Sequence, residues 1–183
     1  MTGLEAGGDR ERRLAFAIPA VEPDLDGVDT SLLDPADPDE RALLIRAAHP
    51  ELDTHQETMV IDGRETNPRL HLTLHEVVAM QLADDDPPEV WATAQRLRRL
   101  GYGRHEILHM LGGAMATQIW EALNNKRAYD AEQHRAALAA LPESWERERP
   151  GGPTPSSSRA AHAAEAKRRR KAERAARKRQ RRR

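Results

Sequence analysis

The stretch NPRLHLTLHEVVAMQLADDDPPEVWATAQRLRRLGYGRHEILHMLGG, residues 67–113, decides the fold. Asn67 reads as a helix cap, and Pro68 at the first helical position opens a helix of about 15 residues that DDDPP brings to a stop. Asp86 with Glu89 repeats the capping-box signal, and Val90, Ala94 and Leu97 then form one apolar stripe that Gly101 ends. A third helix is expected from about Arg104 to Leu123. Three helices joined by loops this short run up, down and up, so the first and third are parallel.

Each of those two parallel helices carries a pair of histidines four residues apart, His71 with His75 and His105 with His109. Residues at that spacing sit one above the other and can offer two imidazoles to one ion. His71 and His75 continue into Val78 and Leu82; His105 and His109 continue into Gly112, Ala116, Ile119 and Leu123. Both pairs therefore face inward, both lie in the first turns of their helices, and all four imidazoles fall at one end of the bundle. Gly112 and Ala116 are small enough to let the partner helix come close. A lone histidine near a helix end is more often a surface residue or a hydrogen-bonded core residue, and that reading stands beside the metal one for each ring taken singly. With no cysteine in the chain, any metal falls to nitrogen and oxygen donors. Zinc is the first expectation, with iron, manganese or nickel also suited to imidazole. A cation near two helix N-termini opposes their dipoles by about 0.3–1 kcal/mol each. Structural zinc binding is worth on the order of 10 kcal/mol, so ligation prevails.

Working outward, DPDE at residues 37–40 offers Asp37 as cap, Pro38 at the first position and Glu40 as the capping-box partner of a helix through RALLIRAA. It stops at His49-Pro50, because the residue before proline resists the helical region. ETMVID, residues 57–62, is the one strand-like run, and one strand cannot make a sheet. A further helix begins near Asp130 and ends before Pro142. The fold class expected is all-α, a compact bundle of about four to five helices. Its helical domain covers residues 37–148, preceded by a disordered acidic arm over 1–36 and followed by a Pro/Gly/Ser linker and basic tail over 149–183.

Charge divides the same way. Residues 155–183 hold 13 Lys or Arg against 2 Glu, a net +11, whereas residues 1–154 carry a net −12. The tail suits RNA, DNA or the ribosome, bound through residues 159–183, and with no aromatic residue after Trp145 it has no stacking platform to read bases. Folding back onto the acidic body is the alternative. No signal peptide and no run of about 18 apolar residues is visible, so a cytoplasmic protein away from the membrane is expected. Four Lys against 25 Arg points to a GC-rich, bacterial source. Oligomeric state is not legible.

His105, Glu106 and His109 also spell H-E-x-x-H, the pattern in which zinc proteases bind the metal with two His and use the Glu as general base on metal-bound water. Glu106 is the candidate catalytic residue on that reading, which makes the chain a metal-dependent hydrolase. The extended form of the motif matches up to Gly112, but Met115 occupies its last ligand position. A ferritin-like di-iron centre needs E-x-x-H on two helices, and only Glu106 with His109 supplies one.

Together, NPRLHLTLHEVVAMQ, HEILHMLGGAMATQIWEAL and AYDAEQHRAALAAL resemble the bacterial family known as domain of unknown function 1841 over about residues 40–141. Its recurring elements fall on His49-Pro50-Glu51, on Asn67, Pro68, His71 and His75, on Gln81, on His105, Glu106 and His109, and on Trp120. Where many members carry a second His shortly after H-P-E, this chain has Asp53 and then His55. The resemblance implies an all-helical fold and supports the histidine site; it implies no activity.

Overall fold

The structure, a computed structural model, describes residues 3–18, 24–25, 28–61 and 64–148. Seven α-helices make up most of it: α1 (Gly3–Ala17), α2 (Pro38–Ala47), α3 (Pro68–Asp84), α4 (Pro88–Leu100), α5 (Arg104–Asn125), α6 (Ala131–Ala139) and α7 (Glu143–Glu148). The fold is mostly helical, as the periodicity requires.

Local signals account for the boundaries. Asp37 accepts hydrogen bonds from the backbone of Asp39 and Glu40, which fixes the start of α2. The Asn67 side chain accepts from Leu70 N–H, with Pro68 in the first turn of α3. Gly101 ends α4 at φ 103°, a backbone conformation that a side chain resists. Asp130 accepts from Gln133 N–H at the start of α6. Two capping details differ from expectation. Asp86 does not cap α4, whose N-cap is Pro87 without a side-chain hydrogen bond. Its N–H instead returns to the Gln81 carbonyl at the end of α3. Glu40 does not bond back to the Asp37 N–H; its carboxylate accepts from Asp34 N–H.

Helix α3 is the hub, packed against α1, α2, α4 and α5, and α5 reaches on to α4 and α6. Val78, Ala79 and Leu82 of α3, Val90, Ala94 and Leu97 of α4, and Ile107, Leu108, Met110 and Leu111 of α5 are buried together with Ile45 of α2. Gly112 keeps the contact of α3 with α5 uncrowded, and an added Cβ there would stand 3.4 Å from the Leu74 Cβ, at ordinary contact distance. Arg96 of α4 donates to the carbonyls of Leu138 and Leu141, so a cation serves the C-terminal end of α6. The Tyr102 hydroxyl donates to Glu146 and fastens α7 to the α4–α5 loop.

Three expectations need correction. The arm over residues 1–36 is not unstructured throughout: α1 packs on α3, and Leu14, Phe16, Ala17 and Ile18 are buried in the core. Phe16 meets the edge of Trp91 at a 5.5 Å ring separation, and Arg13 Nε donates to the Leu82 carbonyl at 2.7 Å. The short apolar run LAFAI, residues 14–18, supplies enough burial to order a segment whose surroundings read as acidic linker. The strand-like run does find a partner, since β3 (Met59–Ile61) pairs antiparallel with β4 (Arg64–Thr66). A second short pair joins β1 (Asp24–Leu25) to β2 (Val28–Asp29). Finally, the α5 stripe does not stay inward to Leu123, which is 74% exposed beside Trp120 at 56%; α6 meets α5 at Gln118, which bonds the Gln133 side chain and accepts from Asp130 N–H. Residues 149–183, with the expected linker and tail, lie outside the described residues. No helix of the described residues is long and apolar enough to cross a membrane.

Candidate metal centre

The packing of α3 on α5 places their first turns side by side. The ring centres of His71 and His109 are 4.9 Å apart and those of His75 and His105 are 5.5 Å apart. Within each helix the four-residue spacing has the consequence expected of it, with ring separations of 4.9 Å for His71–His75 and 4.4 Å for His105–His109. The four histidines singled out in the sequence therefore converge.

A fifth joins them. His49 follows the end of α2, where Ala48 caps the helix and Pro50 forbids another turn. Its ring is 2% exposed and lies 5.0 Å from His71, 4.4 Å from His75, 4.8 Å from His105 and 6.2 Å from His109, centre to centre. Nδ1 of His49 donates to the Ile45 carbonyl at 2.7 Å, which fixes the ring and turns the Nε2 lone pair toward the other rings. Nε2 of His49 and Nε2 of His105 approach to 2.9 Å. His49, His71, His75 and His109 each place one nitrogen within 4.8 Å of every other, a group that could hold one metal ion. His105 stands just outside that set, in contact with it through His49.

His49 was not read as a ligand from the sequence, although it lies in the H-P-E element of the resemblance. A histidine after a helix end has no i, i+4 partner, so periodicity is silent about it; its only signal was the His-Pro stop. Glu106 is half-buried on α5 and is not one of the four grouped residues. His55 is exposed, its N–H bonded to Asp53, and it does not join the cluster. Gln81 is buried and donates to Met115 Sδ, whereas Trp120 is largely exposed, so neither belongs to the centre.

The electrostatics suit a cation better than protons. Burial, then the neighbouring His49 and His105, push His71 down to about 4, against a smaller opposing effect of Glu51. Burial and the four surrounding imidazoles hold His75 far below the ordinary histidine value. His105 is lowered by burial, then by His49. These three rings stay neutral near pH 7, with lone pairs free to ligate. Nε2 of His71 and both nitrogens of His75 are buried with no hydrogen-bond partner. Each such nitrogen costs about 1–3 kcal/mol in a folded protein, and one bound ion would satisfy Nε2 of His71 together with one of the two nitrogens of His75. The N-termini of α3 and α5 oppose a cation, but the carbonyl end of α2 points the favourable way through Ile45 and His49.

Imidazole nitrogens, with no thiolate and no carboxylate among the four grouped residues, suit a transition ion better than calcium or magnesium. No match was found among curated proteins or among solved structures. A family profile described as domain of unknown function, DUF1841, matches residues 38–140, a span that runs from the first residue of α2 to the end of α6 and contains all five clustered histidines. The chain belongs to the DUF1841 family.

Proposed function

We propose that this protein binds a divalent transition-metal ion at the junction of α2, α3 and α5, through His49, His71, His75 and His109 with His105 beside them. One observation carries the reading: five imidazoles from three separate elements converge, while buried nitrogens of His71 and His75 have no partner within the protein. A fold does not accumulate uncompensated nitrogens for stability, because packed apolar groups would serve it better. The reaction, if the ion supports one, would use Glu106 as the nearby acid–base group in the manner of H-E-x-x-H hydrolases. Elemental analysis of protein purified without a His tag tests the proposal. About one equivalent of a transition metal, lost in the His49→Ala and His75→Ala variants, is expected; metal-free protein that fails to take up zinc, iron or nickel refutes it.

The tail supports a second, separable role. Thirteen basic residues against two acidic ones in residues 155–183 favour phosphate contacts with RNA or DNA, including the ribosome, without sequence preference. Deleting 155–183 should abolish retention on RNA and leave metal content unchanged; equal retention of both forms refutes this role.

A further inference from the structure

The hydrogen bonds of His49 fix which of its nitrogens can reach an ion. A carbonyl oxygen only accepts, so the 2.7 Å contact with Ile45 requires a proton on Nδ1, and in the neutral ring the lone pair then lies on Nε2. As a member of the four-nitrogen group, His49 therefore ligates through Nε2. That same Nε2 stands 2.9 Å from Nε2 of His105. Two nitrogens at that distance share one proton, and since His49 has none to give there, Nε2–H of His105 is the donor. One lone pair cannot serve an N–H and an ion at once. The neighbouring rings differ in this respect: Nε2 of His71 and both nitrogens of His75 are buried without a partner, whereas both nitrogens of His49 are engaged. His105 itself lies outside the four-nitrogen group.

We infer that His105 is a latch on the metal centre and not one of its ligands: in the metal-free protein its Nε2–H holds the ligating lone pair of His49, and the ion enters by displacing that bond. This rests on the metal-binding reading above and deepens it to the control of ion entry. Ligation at His71 or His75 breaks no hydrogen bond, whereas ligation at His49 breaks one, so His105 sets the cost of completing the group. No proton leaves the protein in the exchange. The Nε2 proton stays on His105, and the ion takes the lone pair to which that proton was bonded. His105 is half-buried while His49 is almost wholly buried, so the freed N–H turns to water, and the net cost of opening is that of one hydrogen bond exchanged for another. The H-E-x-x-H pattern then divides its roles on α5, with His109 ligating and His105 latching.

The test uses full-length protein, prepared metal-free with nitrogen-15 histidine, and its NMR spectrum before and after Zn(II) is added. In the metal-free protein a nitrogen–nitrogen coupling across the hydrogen bond should join Nε2 of His49 to Nε2 of His105, and zinc should abolish it. No coupling without metal, or a coupling that persists with zinc bound, overturns the inference and leaves the metal site standing. Zinc that does not remain with the protein through gel filtration overturns the metal-binding reading and this one with it. This measurement is made on the wild type and needs no variant. Affinity then supplies the sign. His105→Leu, which cannot donate, should bind zinc about two- to tenfold more tightly, the worth of one neutral hydrogen bond. His105→Gln, whose amide can donate in place of Nε2–H, should return toward the wild-type affinity. Weaker zinc binding by His105→Leu, as the loss of a ligand would cause, overturns the latch.

Discussion

Replacing His75 by Ala is the sharpest perturbation, because its ring touches the other four and is nearly inaccessible to solvent. If the ion binds only the folded state, its binding free energy is also folding free energy. With free ion held a thousandfold above its dissociation constant, this linkage contributes about 4 kcal/mol. At about 2–4 °C per kcal/mol for a chain of this size, the wild type should melt about 8–16 °C higher with ion than with chelator. The variant should lose most of that difference. In chelator the two proteins should be closer: Ala leaves a cavity, at a cost of about 2–5 kcal/mol. It also removes two buried nitrogens without partners, each worth about 1–3 kcal/mol of penalty. The net change without metal therefore lies between a loss of about 3 kcal/mol and a gain of about 4 kcal/mol, centred near zero. Differential scanning calorimetry of both proteins, with ion and with chelator, gives the four melting temperatures required. The same gap between wild type and variant in both conditions refutes the reasoning, as does a wild type indifferent to chelator. Non-additivity supplies an internal check: His71→Ala combined with His109→Ala should cost scarcely more than either alone, since a broken site cannot be broken twice.

Three other outcomes follow from the packing. Phe16→Ala should destabilise by about 3–4 kcal/mol, because Phe16 is buried against Trp91 and α3; a loss below about 1 kcal/mol in urea titration would mean that α1 does not dock in solution. Gly112→Ala should be neutral or stabilising by up to about 1 kcal/mol, since a methyl there meets Leu74 at ordinary contact distance and Ala favours the helix. Gly112→Val should instead force α3 from α5 and reduce bound metal, and a variant with full metal content would contradict the close approach. Burial lowers His134 below the ordinary 6.5, against a smaller opposing influence of Glu89. The unfolded chain therefore takes up that proton first, so the contribution of the neutral ring is fully present above about pH 6.5 and is lost as pH falls toward the lowered folded value. In chelator, melting temperature should fall less steeply from pH 7.5 to 5 in His134→Gln than in the wild type; parallel pH profiles would refute this.

The helices α2 to α6 were legible because their signals are local. Asp37, Asn67, Gly101 and Asp130 act on backbone groups within a few residues, and burial periodicity at 3.6 residues shows in Val90, Ala94 and Leu97. The convergence of His71 and His75 with His105 and His109 was legible too, because two helices joined through a third by short loops have few ways to pack. What only the tertiary structure decided concerns residues outside any period. His49 follows the end of α2, and α2 packs on α3; that docking, together with the Nδ1 bond to Ile45, aims its ring at the cluster. The α1 helix is the same case on a larger scale, since its few apolar residues are too sparse to declare a helix and are ordered by the surface of α3 and by Trp91. Local rules state which groups a segment can offer, and long-range packing states which of those offers meet: the sequence showed two pairs of histidines, and the docking of α2 brought a fifth against them.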